Sequence, residues 1–303
     1  MRIALVGIGK IALDQHVPAI SSSPDWELAA TVSRHGRVEG VEGFTLVDEM
    51  VAARPDIAMV SLCLPPVPRF AAAQAALRAG RHVMLEKPPG ATLAEVQALE
   101  ALARAQGVTL FTTWHSREAK VVAAAKRWLQ GRRIESGRII WREDVRAWHP
   151  GQDWIFAAGG MGVFDPGINA LSILTHILPE PVHVTGCEMD VPANRQAPIA
   201  ARLQLSQGIT ADFDFRQQGK QTWDMEFQTD GGHLALRLGG NLLEIDGQPA
   251  GGEDTIMGEY PALYARMAAL LREGASDVDL SPMVLVADAF TLACRNVVEP
   301  FVF

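Results

Sequence analysis

The sequence predicts two domains: a doubly wound, parallel α/β domain followed by an α+β domain with a large, mostly antiparallel open sheet. Two observations predict this fold class. Up to about residue 115, short apolar strands alternate with amphipathic helices, the pattern of a parallel sheet with right-handed crossovers. Farther along, the apolar residues recur with period two. The 303 residues suffice for two cores, and we place the domains at 1–116 and 117–303.

The elements of the first domain follow from apolar runs and from helical periodicity. Strands are expected near residues 2–7, 27–33, 56–63, 82–85 and 108–113, and helices at 67–79 and 91–106. Thr92 and Glu95 form a Thr-x-x-Glu capping box, which places the start of the second helix.

The second domain is predicted as a sheet interrupted and closed by helices. Strands are expected at 137–141, 182–189, 200–206, 210–215 and 222–229, with shorter pieces to about 246; helices are expected near 117–130, 166–177, 259–273 and 281–296. The closing helix, 281–296, is a candidate to pack back onto the first domain. The outer face of the sheet could pair with a second chain, making a homo-oligomer possible, although a solvated face fits the same pattern.

Composition excludes several kinds of partner. The formal charge of −8 argues against nucleic acid and anionic membranes. No run of about 18 apolar residues and no signal-peptide pattern occurs. Cys63, Cys187 and Cys294 are far apart and match no metal-ligand spacing, so we expect reduced thiols, no metal and a cytoplasmic protein.

The first strand runs directly into a glycine-rich motif, Gly7-Ile8-Gly9-Lys10-Ile11-Ala12. This is the Gly-x-Gly-x-x-Ala form of a dinucleotide fingerprint: Gly7 permits a tight turn, Gly9 lets the backbone approach a pyrophosphate, and Ala12 lets the helix pack on its strand. The pyrophosphate would rest on the N-terminus of the helix that starts near Lys10, with Ile11 beside it. The motif therefore predicts an NAD(P)-binding Rossmann domain.

The end of the second strand indicates which nicotinamide cofactor binds. NAD-selective sites place an acid here for the ribose 2′-hydroxyl, whereas this chain has Ser33-Arg34-His35. Arg34 offers a charged, planar fork for a 2′-phosphate, and a solvated loop arginine is the alternative. Because Ser33 can also bind a bare hydroxyl, we expect NADP to be preferred and NAD tolerated.

Three loops follow strands whose carboxyl ends share the cofactor edge of the predicted sheet. They are Leu64-Pro65-Pro66, Glu86-Lys87-Pro88 and Trp114-His115-Ser116. The two prolines of the first loop predict a fixed bend, with no immediate entry into a helix. Lys87 would lie beside the nicotinamide, and a surface ion-pair lysine is the less favoured alternative. Trp114 and His115 could flank the nicotinamide or the substrate, with a packed core role equally open for Trp114.

These motifs together resemble the glucose-fructose oxidoreductase/inositol dehydrogenase (Gfo/Idh/MocA) family over essentially the whole chain. More narrowly, four segments resemble the bacterial L-arabinose/D-galactose 1-dehydrogenases within it. They are Gly9-Lys10-Ile11-Ala12, Thr113-Trp114-His115-Ser116, Trp148-His149-Pro150-Gly151-Gln152 and Val163-Phe164-Asp165-Pro166-Gly167-Ile168-Asn169.

The last segment departs from the wider family pattern. Many members carry Asp-x-Gly-x-His with the histidine as general base, whereas this chain has Asn169, which cannot accept a proton. The spacing of four puts Asp165 and Asn169 on one face of a helix start. Acid/base duty then falls to Asp165 and Lys87. Asp165 before Pro166 is also a good helix N-cap, and the two roles need not exclude each other.

The resemblance also implies side chains that bind sugar hydroxyls. Glu143 and His149 carry this role by resemblance, with a solvated acid and a simple loop residue as their respective alternatives. Trp154, Trp223 and Tyr260 are candidates for stacking on the sugar, although aromatic residues on strand and helix faces are more often core.

The sequence thus predicts an NAD(P)-dependent aldose 1-dehydrogenase that converts L-arabinose or D-galactose to its lactone. Lys87 would hold the C1 hydroxyl and Asp165 would accept its proton, directly or through Lys87. Another sugar or polyol dehydrogenase of the family, such as one for inositol, is the nearest alternative, and a non-catalytic NADP-sensing regulator is a second. The sequence leaves open which sugar and anomer react, and which of the two residues takes the proton first.

Overall fold

The chain forms two compact units in the computed structural model, which describes residues 1–253 and 258–303. The first unit consists of Met1–His115 and Tyr260–Asp279, and the second of Ser116–Glu259 and Leu280–Phe303. The later segment that joins the first unit is therefore 260–279. The closing helix, predicted to pack there, belongs to the second unit.

The first unit is built on a six-stranded parallel sheet in the order β3-β2-β1-β4-β5-β6. Its strands are β1 (Arg2–Val6), β2 (Glu27–Val32), β3 (Glu42–Phe44), β4 (Met59–Leu62), β5 (His82–Leu85) and β6 (Leu110–Thr112). This order is that of a dinucleotide-binding Rossmann sheet, which confirms the predicted fold class. The sequence did not predict β3, because this edge strand has only three residues and two of them, Glu42 and Gly43, are rare in strands.

Helices cover both faces of this sheet. A π-helical segment (Ala12–His16) leads into α1 (Val17–Ser22), followed by α2 (Val47–Ala53), α3 (Pro66–Arg78) and α4 (Leu93–Gln106). The predicted capping box is confirmed: Thr92 Oγ1 accepts a hydrogen bond from the Glu95 N–H, and Glu95 accepts one from the Thr92 N–H. The prediction that the two prolines delay a helix is wrong. Pro66 is itself the first residue of α3, where proline is favoured because its missing N–H has no helical partner.

The second unit is built on a nine-stranded sheet in the order β14-β13-β12-β11-β7-β10-β9-β8-β15. The strands are β7 (Ile134–Arg142), β8 (Val184–Pro192), β9 (Ala200–Leu205), β10 (Ile209–Asp214), β11 (Thr222–Thr229), β12 (Gly232–Arg237), β13 (Leu242–Ile245), β14 (Gln248–Gly252) and β15 (Ala293–Val298). The sheet is mostly antiparallel, as predicted; β7 with β10 and β8 with β15 are its parallel pairs.

The remaining α-helices of the described residues are α5 (Val122–Leu129), α6 (Val145–Trp148), α7 (Phe164–Ile177), α8 (Glu259–Glu273) and α9 (Ser281–Leu292), and short 3-10 helices occupy His115–Glu118 and Asp153–Phe156. The helix predicted from 117 begins only at Val122, because the Val121 N–H donates to the Gly240 carbonyl instead. The helix predicted to continue to 296 ends at Leu292. The residues that follow form β15, because pairing with the edge of β8 overrides their helical apolar spacing.

The α7 helix lies against the inner face of the second sheet, where Gly167 allows close contact. A Cβ atom at Gly167 would lie 2.8 Å from the Phe213 ring on β10. Phe164 on the same helix contacts the rings of Phe213 and of Phe290 on α9. The first turn of α7, which contains Asp165, Pro166 and Gly167, is therefore held close against the sheet. None of the helices within residues 1–253 and 258–303 is long and apolar enough to cross a membrane.

Candidate active site

The predicted dinucleotide turn follows β1 at the carboxyl edge of the first sheet. Gly7 has a φ of +87°, and a Cβ atom there would lie 2.8 Å from the Leu64 backbone nitrogen, so only glycine fits. A Cβ atom at Gly9 would meet nothing within 4 Å, which leaves that side of the backbone accessible. Ala12 is buried against Leu5 and Ile8. The backbone therefore satisfies each steric requirement of a pyrophosphate-binding turn.

The helix after the turn starts where the motif places it. The Leu13 N–H donates to the Gly9 carbonyl at 3.1 Å, so the preceding N–H groups belong to the unsatisfied first turn that attracts anions. Lys10 is exposed and pairs with Asp14, and Ile11 is also exposed. The N–H groups at the start of this helix could therefore hold the phosphates of a dinucleotide.

The loop after β2 presents Ser33, Arg34 and His35 at the next strand end. Ser33 Oγ accepts the Gly36 N–H at 3.1 Å, which fixes the loop and leaves its hydroxyl proton available to donate. Arg34 and His35 are exposed. Arg37 folds back to donate to the carbonyl oxygens of Ser33 and Gly36. The loop thus has one arginine, Arg37, that binds the loop backbone and a second, Arg34, that is exposed.

A buried arginine connects the next two loops at this edge, and sequence reasoning missed it. Arg69 on α3 donates to the carbonyl oxygens of Leu64, Glu86 and Pro88. Leu64 precedes the Pro65-Pro66 bend, while Glu86 and Pro88 flank Lys87. The guanidinium therefore holds the proline loop and the lysine loop together, and no sequence motif distinguishes it from an ordinary helix arginine.

Lys87 is the second residue after β5 and is partly buried, and its peptide bond to Pro88 is cis. The neighbouring Glu86 is buried, and its carboxylate accepts hydrogen bonds from the Lys87 N–H and from the Tyr260 hydroxyl, the latter at 2.6 Å. Tyr260 is buried, and its hydroxyl binds Glu86. The stacking of Tyr260 on a sugar stays a prediction from the sequence.

His16 completes this group of buried polar side chains, although no role was predicted for it. Its Nε2 lies 3.4 Å from Glu86 Oε1, and its Nδ1 lies 2.8 Å from the Tyr264 hydroxyl. Burial alone would lower the pKa of His16, but Cys63, Tyr264 and Glu86 face the ring and hold this pKa well above its usual value. The apolar spacing of Ala12, His16 and Ala19 was the one available signal that His16 points inward.

The pKa of Glu86 moves in the opposite direction. Burial alone would raise it, but the hydrogen bond and charge of His16, with contributions from His115 and Tyr260, lower it to about 2. Glu86 is therefore an ionised carboxylate inside the protein, paired with a protonated imidazole.

Trp114 and His115 follow β6 at the same edge. Trp114 is buried and its indole N–H donates to the Asp279 carbonyl at 3.0 Å, so the core role left open for it is the one observed. The His115 ring is partly exposed and stacks on Tyr260, with 5.5 Å between ring centroids. Of the pair, His115 is the residue that can still reach a ligand.

In the second unit, Asp165 and Asn169 lie in the first two turns of α7. The helix has Val163 as its N-cap and Asp165 inside the first turn, so the alternative of Asp165 as N-cap is wrong. The helical spacing of four puts both side chains on one face, as the sequence predicted.

The structure adds a contact between His149 and Asp165 that sequence reasoning missed. His149 Nε2 lies 3.2 Å from Asp165 Oδ2, and Nδ1 lies 3.5 Å from Gln152 Oε1. The same Gln152 oxygen accepts the Trp154 indole N–H at 3.0 Å, and the Trp154 ring meets His149 edge-on. His149 is thus held between an amide oxygen and a carboxylate and is not a simple loop residue.

Glu143 follows β7 and is only 7% exposed, so the alternative of a solvated acid is wrong. Its Oε2 accepts the Trp223 indole N–H at 3.0 Å. The Trp223 ring in turn lies between Trp141 and the exposed Trp148, with centroids 6.3 and 5.8 Å away. The buried Glu143 carboxylate can bind a hydroxyl group, and the neighbouring indole rings can cover an apolar face of a sugar.

The structure thus distributes the predicted site residues over the two units. The first carries the dinucleotide turn, Ser33, Arg34, Lys87 and His115 at one sheet edge. The second brings together two groups: Asp165 with His149, Gln152 and Trp154, and Glu143 with Trp223.

Comparison with known proteins matches both units. Residues 1–114 match the model of a family described as an oxidoreductase family with an NAD-binding Rossmann fold. The chain is 42% identical to a galactose 1-dehydrogenase of Pseudomonas fluorescens, over 99% of this chain and 98% of that protein.

Solved structures show the same likeness. A crystal structure of a D-galactose-1-dehydrogenase from Rhizobium etli is 54% identical, covers 99% of this chain and 97% of its own, and superposes with a TM-score of 0.93. A 3-ketoreductase from Actinomadura kijaniata, in complex with TDP-benzene and NADP, has a TM-score of 0.81 over 99% of both chains. At 20% identity, the latter shares the fold alone.

Proposed function

This chain belongs to the Gfo/Idh/MocA family of oxidoreductases, and on that premise we propose that it oxidises an aldose at C1 to the lactone, with NADP as the preferred acceptor and NAD tolerated. D-galactose and L-arabinose are the proposed substrates. The observation that carries the proposal is the arrangement of neighbouring strands β1, β4 and β5, which place the dinucleotide turn, the proline loop and Lys87 at one edge of the sheet. The similarity to two galactose 1-dehydrogenases over nearly the whole chain supports the substrate class.

The cofactor would be held by the backbone of the Gly7 to Ile11 turn and by the loop after β2. When bound, it supplies the hydride acceptor. Arg34, exposed in the loop that Ser33 fixes, would bind a 2′-phosphate, for which a planar guanidinium is the matching donor. Leu64, Pro65 and Pro66 would border the same ligand from β4, and His35, Glu86 and Trp114 lie at the same edge.

The proton of the C1 hydroxyl needs an acceptor, and Asp165 is the proposed base. Lys87 would donate to that oxygen and stabilise the negative charge that develops on it. Asn169, in place of the histidine that many family members carry, can orient a hydroxyl but cannot take the proton.

His149 would position Asp165 for this reaction. Its Nε2 lies 3.2 Å from Asp165 Oδ2, and its Nδ1 lies 3.5 Å from Gln152 Oε1, so the ring is held on both sides and restricts the carboxylate. His149 and Glu143 would each also bind a sugar hydroxyl, and Trp154 and Trp223 would enclose the ring.

The two proposed sugars have the same configuration at C2 to C4 and differ by an exocyclic hydroxymethyl group. A single small substituent gives a pocket limited power to discriminate, about one to two orders of magnitude in kcat/KM. We therefore expect activity with both.

A panel of aldoses and polyols, assayed for reduced nicotinamide with NADP and with NAD, tests the proposal. We expect NADP reduction with D-galactose and L-arabinose, and lactone as the product. Reduction with a polyol such as inositol alone would assign another substrate class. No reduction with any member of the panel would contradict enzymatic function and favour an NADP-sensing regulator.

A further inference from the structure

We propose that three buried residues, His16, Glu86 and Tyr260, form a positioning device for Lys87. We call them the Glu86 cluster. The inference rests on the proposed function in one respect, the role of Lys87 in the reaction. The mechanical part, that the cluster fixes the backbone at Lys87, stands on the structure of the first unit alone.

The Glu86 carboxylate folds back onto its own chain. One oxygen, Oε2, accepts the backbone N–H of Lys87, the next residue. The other, Oε1, accepts the Tyr260 hydroxyl at 2.6 Å. Since Arg69 holds the Glu86 carbonyl, both the carbonyl and the N–H of the Glu86–Lys87 peptide are anchored to buried charged groups. The orientation of this peptide sets the direction in which the Lys87 side chain leaves the backbone.

A buried carboxylate is costly unless a positive group and hydrogen bonds compensate it, and His16 supplies that charge. The Tyr264 hydroxyl donates to Ser61 Oγ at 3.2 Å, so it faces His16 Nδ1 as an acceptor. The Glu86 carboxylate faces Nε2, also as an acceptor. Nδ1 is therefore hydrogen-bonded to an acceptor, and Nε2 lies within ion-pair distance of a carboxylate, an environment that suits a positively charged ring.

The cluster also connects separate elements of the cofactor edge. His16 ends the π-helical segment that follows the dinucleotide turn, Glu86 follows β5, and Tyr260 begins α8. Tyr260 stacks on His115, which follows β6. We therefore expect a substitution at any of these three residues to alter the backbone at Lys87. A substitution elsewhere in the unit that costs the same stability should leave this backbone unchanged.

The test uses the full chain with two conservative variants and a matched control. Tyr260→Phe removes one hydroxyl that binds Glu86 and keeps the ring against His115. Glu86→Gln keeps the shape and removes the charge. The control is Ile57→Val, which removes one buried methyl group from a hydrophobic core cluster of the same unit other than the one that contains Tyr260.

The first measurement is hydrogen exchange of the Glu86–Gly90 segment without cofactor. Pro88 and Pro89 have no N–H, so this segment reports the amides of Glu86, Lys87 and Gly90. We expect exchange roughly tenfold to hundredfold faster in both variants, the range for losing a hydrogen bond to a charged group, and unchanged in Ile57→Val. Unchanged exchange in both variants would overturn the positioning device, whatever the activity.

The second measurement is steady-state kinetics with D-galactose. We expect kcat to fall about tenfold to hundredfold in Tyr260→Phe, with the KM for NADP changed little, because a small misplacement of a catalytic group mainly affects turnover. Faster exchange with an unchanged kcat would overturn the catalytic importance of the device. If Lys87→Ala itself kept its turnover, the proposed function of Lys87 would fail while the exchange result stood, so the two failures are distinguishable.

Discussion

At the scale of single residues, the chemistry proposed for this protein depends on two charged pairs with different tasks. His149 with Asp165 concerns the base, and His16 with Glu86 concerns the backbone that carries Lys87. In both, a histidine lies between a carboxylate and an uncharged oxygen. Many family members have a base histidine at the position of Asn169. In this chain the histidine that contacts Asp165 is His149.

Replacing either Lys87 or Asp165, the two residues proposed to act on the C1 hydroxyl proton, should abolish most of the turnover. Lys87→Ala and Asp165→Ala should each lower kcat by about 10²- to 10⁴-fold, the usual contribution of acid/base catalysis, and leave the Kd for NADP nearly unchanged. Asp165→Asn is the matched variant that keeps the shape without the charge. Single-turnover kinetics and NADP titration measure the two quantities, and near-normal turnover in any of these variants would disprove the assignment.

Arg34 should discriminate between the two nicotinamide cofactors. Arg34→Ala should weaken NADP roughly tenfold to hundredfold, the range for losing a hydrogen bond to a charged group, and leave NAD almost unaffected. Titrations of both cofactors against Arg34→Ala and Arg37→Ala measure this, with Arg37 as the control because its guanidinium binds the loop backbone. An equal loss for NADP and NAD would show that Arg34 does not bind the 2′-phosphate.

The ionised Glu86 should give the protein a specific acid sensitivity. Its pKa is about 2 in the folded chain and about 4.3 when unfolded, so its contribution is complete above about pH 4.3 and disappears as the pH falls through about 2. The stability difference between wild type and Glu86→Gln should therefore narrow in acid.

Urea unfolding at pH values across this window measures the difference. The exposed Glu100→Gln on α4 provides the control, since its ion pair with Arg104 lies at the surface and contributes little at any pH. A difference between wild type and Glu86→Gln that stays constant down to the lowest pH would mean that Glu86 is not held ionised.

At the scale of elements, the sequence was most informative where local chemistry decides the structure. The dinucleotide turn, the capping box of α4 and the strands of the parallel sheet follow from glycine sterics, side-chain caps and apolar runs, and the structure has them. It failed where distant partners decide. The strand β15 forms because β8 offers an edge, α5 begins late because Gly240 binds Val121, and β3 is too short to show a pattern.

The site shows the same division. Lys87 and Asp165 stand in recognisable motifs, whereas His16 and Tyr260 act through contacts between residues far apart in the chain. Tyr260 and Glu86, for example, are 174 positions apart. The sequence separation between such partners carries no signal, and only the fold shows that they meet.

The capping box offers a direct test of element-level stability. Thr92→Ala should lower the free energy of unfolding by about 1 kcal/mol, because the Glu95 N–H loses its side-chain acceptor. Thr92→Ser keeps the hydroxyl and should lose much less. Denaturant unfolding followed by circular dichroism measures both, and equal stability of wild type and Thr92→Ala would contradict the role of the box.

At the scale of the whole molecule, the outer face of the second sheet carries several ion pairs. Arg142 pairs with Asp212 at 2.6 Å, and Arg202 with Glu188 and Asp190 at 3.2 and 3.1 Å. Pairing of two chains through this face stays a prediction from the sequence. Light scattering of wild type and Arg202→Glu tests it: a dimer that the variant weakens would support it, and a monomeric wild type would contradict it.

The central claim, removal of a hydride from C1 of an aldose, is tested most directly with sugar deuterated at C1. The purified protein is incubated with C1-deuterated D-galactose and NADP, and the reduced cofactor is analysed by mass spectrometry. The account predicts that the deuterium appears in the reduced cofactor and that the sugar becomes the unlabelled lactone. Reduced cofactor without deuterium, or no reduction at all, would contradict it.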